Sequence, residues 1–132
     1  MQTKSSWAAL WPPLSLSYTA SFLRKEGFTV RLLDCIAQDL DFQDLKQCIC
    51  EYRPHVLVIN SAFPTIYNDL KVSTLAKGVD KDIQTLMIGM PPTLLEEKIL
   101  EEDRTLDAVV AGEPEWTVCN FCKVYESGGD LS

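Results

Sequence analysis

Residues 53–60 read Arg53-Pro54-His55-Val56-Leu57-Val58-Ile59-Asn60. Val56 to Ile59 are apolar without interruption, the pattern of a strand buried on both faces rather than one with a wet side. Pro54 ends any helix running into it. Working outward, similar short runs appear at Phe28–Leu33, Gln84–Gly89 and Asp107–Ala111. Stretches with helical spacing separate them. Strands alternating with helices predict an α/β domain: a parallel sheet covered by helices on both faces.

Punctuation places the helices. Leu16, Ala20 and Leu23 line one face of a helix over 14–26, and Gly27 suits the left-handed position that ends it. Asp41 is a fitting N-cap for a second helix whose apolar stripe is Phe42, Leu45, Ile49 and Tyr52. A third helix is expected over 65–77, with Ile66, Leu70 and Leu75 inward. A short fourth covers 94–101 and a fifth 115–125. The pattern opens on a helix, whereas a doubly wound domain normally opens on a buried strand. The one candidate upstream is Ser5–Leu10, a weak strand with two alanines. The first strand is therefore expected to be weak or missing.

The 132 residues suffice for one domain, 1–132, with one core. The net charge is −7 and no Lys/Arg cluster occurs, which argues against nucleic acid and anionic membranes as partners. No apolar run approaches the ~20 residues of a membrane span, and no secretory leader is evident, so a cytoplasmic location is expected. The five cysteines (Cys35, Cys48, Cys50, Cys119 and Cys122) are odd in number and are expected to be reduced.

In an open parallel sheet, ligands bind beyond the carboxyl ends of the strands. Four loops should form that rim: Asp34-Cys35, Asn60 to Thr65, Gly89 to Thr93, and Gly112 to Glu115. Gly89 and Gly112 permit close approach of a flat ligand. Ser61, Thr65 and Thr93 offer hydroxyls, and the helices that follow present N-termini suited to a phosphate. The same residues also make sense as tight turns and caps. Asp34, Glu113 and Glu115 form either a carboxylate cluster or a set of loop caps.

These residues carry a resemblance. Pro12-Pro13-Leu14-Ser15-Leu16, then Gly27-Phe28-Thr29-Val30-Arg31-Leu32-Leu33-Asp34, resemble the opening of the cobalamin-binding domain of B12-dependent radical SAM enzymes. The strand at Pro54, the loop Gly89-Met90-Pro91-Pro92-Thr93, and Asp107-Ala108-Val109-Val110-Ala111-Gly112-Glu113-Pro114-Glu115 are similar to later signatures of that family, in the same order, over Pro12 to Leu131. Within the family, the anaerobic magnesium-protoporphyrin monomethyl ester cyclases are the nearest functional group. The resemblance implies a flavodoxin-like, three-layer α/β/α fold with a sheet of four or five strands. It implies a cobalamin at the rim, touched by Ser61, Ala62, Phe63, Thr65, Gly89, Met90, Thr93, Gly112 and Glu113. It also implies a radical SAM catalytic domain as the working partner, bearing the iron–sulfur cluster and SAM. That barrel is not in this chain, so the module is non-catalytic by itself.

Departures from the family pattern narrow the expectation. The sole histidine, His55, precedes a strand and sits at the wrong end for a rim ligand, and no Asp-x-His-x-x-Gly motif occurs. Met90, Pro114 and Ser15 replace glycines. A radical SAM cluster needs C-x3-C-x2-C, but Cys119 and Cys122 are preceded by Glu115 at the first position. They are read as core residues of the fifth helix. A metal site is not expected. A second reading has the chain as a truncated or degenerate domain that binds no corrin and pairs with another chain, such as a homodimer, through strand edges left by the absent strand. A phospho-receiver role is disfavoured, because Asn60 and Gly112 stand where an aspartate and a lysine are required.

Overall fold

The computed structural model describes residues 13–129. Its elements, in order, are α1 (Leu14–Lys25), α2 (Phe42–Tyr52), β1 (Val56–Ser61), a 3-10 turn (Phe63–Thr65), α3 (Ile66–Val79), β2 (Gln84–Gly89), α4 (Met90–Glu102), β3 (Ala108–Val109) and α5 (Pro114–Glu126). The strands are parallel in the order β1-β2-β3. The expected α/β architecture is therefore present, with three strands among the described residues rather than four or five. Ser5–Leu10, the expected first strand, lies outside the described residues.

Alternation along the strands splits the core in two, as a two-faced sheet requires. Leu57, Ile59, Met87 and Val109 face one way, onto Leu45 and Ile49 of α2, Val72 and Ala76 of α3, and Ile99 of α4. Val56, Val58, Leu86, Ile88 and Val110 face the other way, onto Leu23 of α1 and Val118 and Cys119 of α5. Leu86, Met87 and Ile88 are fully buried. The middle strand is thus covered on both faces, as its unbroken apolar run demands.

Local signals worked where they were strong. Gly27 takes φ +96° after α1. Asp41 accepts from the Asp44 N–H at 2.9 Å while the Asp41 N–H donates to the Asp44 carboxylate at 3.1 Å, a reciprocal capping box. Two expectations are corrected. Residues 28–33 form no strand, because a strand exists only by pairing and no described strand lies beside them. Their side chains still pack alternately, Phe28 and Val30 on the α1–α5 side and Leu33 on the α2–α3 side. The run at 107–111 is a strand only at Ala108–Val109, although the Val110 N–H still donates to the Met87 carbonyl at 2.8 Å.

Among the described residues, β1 pairs with β2 on one side only. Among the described residues, α1, α2 and residues 28–36 flank its other side from His55 to Asn60.

Candidate functional site

The carboxyl ends of the strands bring part of the expected rim together. Ser61 and Gly89 are partners in the parallel ladder, the last pair of β1 and β2. Thr65 comes back over them through the 3-10 turn Phe63–Thr65, which Pro64 suits by its fixed φ. The Ala62 N–H donates to Thr65 Oγ1 at 3.3 Å and closes this turn. Phe63 is half exposed at its lip.

Beneath the turn lies a residue that the sequence reading passed over. Asp69 is only 2% exposed, and its Oδ2 accepts from Ser61 Oγ at 2.8 Å and from Thr65 Oγ1 at 2.6 Å. Hydroxyl–carboxylate bonds this short are charge-assisted. The signal was available: Asp69 stands four residues after Thr65, so a helix stacks the two on one face, and it interrupts the inward series between Ile66 and Leu70. Helical periodicity of the apolar residues hid it.

Gly89 is constrained by the sheet itself. Its φ is +115°, and a Cβ there would collide with the Ser61 carbonyl oxygen and lie 3.1 Å from Asn60 Oδ1. The close approach of β1 to β2 by itself requires a glycine here. Gly112, at φ +79°, has open space around its Cβ position. The β2–β3 register carries Gly112 and the exposed Glu113, which precedes α5, to the same end of the sheet one strand further on. The expected loop at Met90 to Thr93 is instead the first turn of α4, which breaks at Leu95 (φ −133°, ψ 29°).

Other candidates separate. Asp34 accepts from the Ala37 N–H at 3.0 Å, a local turn cap, and the described residues hold no group of three metal-ligating side chains. His55 lies just before β1, at the opposite end of the sheet, with its ring 6.3 Å from that of Tyr125. Cys119 is buried in the α1–α5 core, and burial pushes the Cys122 thiol up to about 11, with neighbouring Cys119 and Glu126 adding to it. A thiol so raised is a poor thiolate and a packing residue.

A family model described as the B12 binding domain matches residues 5–121. An uncharacterized methyltransferase of Pyrococcus horikoshii is 32% identical over 120 residues, covering 91% of this chain and 26% of that protein. The anaerobic magnesium-protoporphyrin IX monomethyl ester cyclase of Rubrivivax gelatinosus is 30% identical over 122 residues, covering 92% and 22%. Its counterpart in Synechocystis is 28% identical over 124 residues, covering 92% and 25%. The chain spans about a quarter of the length of these relatives.

Proposed function

The chain belongs to the B12-binding domain family, and from that premise we propose that it holds a cobalamin at the carboxyl-end rim of its sheet. The observation that carries this reading is the convergence of Ser61, Thr65 and Gly89 at the place where open parallel sheets bind ligands. The donor set suits a corrin held by its periphery: hydroxyls and backbone groups surround the rim, while His55 stands at the far end of β1. No cobalt ligand is assigned to this chain. Bound cobalamin supplies organometallic chemistry such as methyl transfer. The chain's own residues bind and orient it, and the open space at the Gly112 Cβ position admits it.

The names of the relatives support a methyltransferase or tetrapyrrole cyclase as the setting. Our reading adds a radical SAM domain outside residues 1–132 that supplies catalysis, in the cytoplasm. Among the described residues no helix is long and apolar enough to cross a membrane.

A second reading has the chain bind no corrin and pair with another chain through a strand edge. One experiment separates the two. The full chain is mixed with hydroxocobalamin and passed through a sizing column with light-scattering and visible detection. Cobalamin absorbance eluting with the protein is the expected result. A dimer without the colour at high micromolar cobalamin overturns the proposal in favour of the second reading.

A further inference from the structure

Three large side chains stand exposed on the layer formed by α1 and α5: Leu14 and Tyr18 of α1, at 59% and 63%, and Trp116 of α5, at 60%. Phe22 lies between the two helices, its ring edge-on to that of Trp116 at 5.5 Å. Residues 14, 18, 22 and 25 fall on one side of a helix, so Lys25 continues the stripe. Phe22 meets Trp116, and Glu26 accepts from Lys123 Nζ at 2.7 Å, so the two helices run in the same direction. Glu113 therefore lies about 4.5 Å before the aromatic pair and Lys25 about 4.5 Å past it, three residues each at the helical rise. Charge is divided along the face. Glu113 and Glu115 stand at its rim end, where α5 starts. Arg24, Lys25 and Lys123 stand at the other end. Glu26 offsets Lys123, and Arg24 donates to the Val30 carbonyl at 3.0 Å, so Lys25 is the cation in line with the apolar stripe.

We propose that this face is a two-fold docking surface for a second copy of the chain, with Phe22 and Trp116 at the axis and each Glu113 opposite Lys25 of the partner subunit. Such a contact requires a surface that is its own complement. A two-fold axis through the Phe22–Trp116 pair reverses the face, so the acidic end of one copy meets the basic end of the other and the apolar stripes meet between them. Exposed tryptophan and tyrosine at the centre, with charge at the margin, match the anatomy of protein interfaces. The net charge of −7 opposes association. At ~0.15 M salt, however, charges interact over only about 8 Å, so the facing pairs outweigh distant ones. The proposal does not depend on the corrin reading.

The test is sedimentation velocity of the full chain over about 1–300 µM at ~0.15 M salt. The wild type should pass from monomer to dimer within that range. Glu113→Lys and Lys25→Glu each set two pairs of like charges against each other across the axis, and each should weaken the dimer about tenfold. Both positions are exposed, and circular dichroism checks that the variants fold. Net-charge repulsion alone would instead strengthen the dimer of Glu113→Lys, which makes the chain less negative. Mixing the two variants should restore a heterodimer within about threefold of the wild type, since each supplies the charge that the other lacks. A Glu113–Lys25 pairing within one chain would not be rescued by mixing. Tyr18→Ser should weaken the dimer by a similar factor. A monomer throughout the range overturns the proposal. So do charge variants that dimerise as the wild type does, which would place the contact elsewhere, and losses that mixing does not repair.

Discussion

Gly89 shows how much one missing methyl decides. Its φ of +115° is costly for an L side chain, and the Cβ position is already taken by the Ser61 carbonyl oxygen. Gly112 shares only the first difficulty. Gly89→Ala should therefore cost about 3 kcal/mol and Gly112→Ala about 1 kcal/mol, read from urea unfolding midpoints. Equal losses at the two positions would contradict the steric account of β1–β2 approach. The sequence reading had marked both glycines, and for the same reason. Only the neighbouring backbone distinguishes them.

At the scale of elements, the amino ends of β2 and β3 are joined to α3 by polar bonds beside the apolar packing of Ile83 and Leu106. Asp107 Oδ2 accepts from the Thr85 N–H at 2.8 Å, from Thr85 Oγ1 at 3.0 Å and from Lys77 Nζ at 2.6 Å. Thr85 is fully buried. This staple compensates for the shortness of β3, which pairs with β2 at only Leu86↔Ala108 and Met87↔Val109. Asp107→Ala leaves the buried Thr85 N–H without its acceptor, while the Thr85 hydroxyl keeps the Thr105 carbonyl at 2.7 Å and Lys77 Nζ keeps the Ile83 carbonyl at 2.5 Å. The expected loss is about 1–3 kcal/mol, measured by chemical denaturation. A loss below about 0.5 kcal/mol, the range of ordinary surface substitutions, would show that the staple adds nothing. Neither Lys77 nor Thr85 was legible as its partner, because they lie 30 and 22 residues away in sequence.

For the molecule as a whole, stability is tied to pH through the layer between the sheet and the α1–α5 pair. Cys122 packs there, and burial raises its thiol from 9.0 to about 11. The fold therefore prefers the protonated thiol. That contribution is fully present below the unfolded-state value and is lost as pH rises through about 11. Unfolding midpoints should fall between pH 9 and 11, and Cys122→Ala should flatten this decline whatever it costs in packing. An unchanged slope in the variant would assign the alkaline loss to other groups.

The sequence by itself determined the α/β class, the helix stop at Gly27, the helix start at Asp41, and β2 to the residue at Gln84–Gly89. Each of these rests on a local period or a local cap, which a neighbour in sequence suffices to specify. Tertiary structure alone decided the rest. Residues 28–33 carry a strand's composition but no described partner. Gly89 is demanded by a carbonyl on another strand. Asp69 meets Ser61 and Thr65 because the chain leaves β1 through a tight turn into α3. These outcomes depend on register and on which chain ends are brought side by side, and a short-range pattern does not encode either. The rim between β1 and β2 was legible as a place. Only the tertiary structure turns both of its hydroxyls onto the same buried carboxylate.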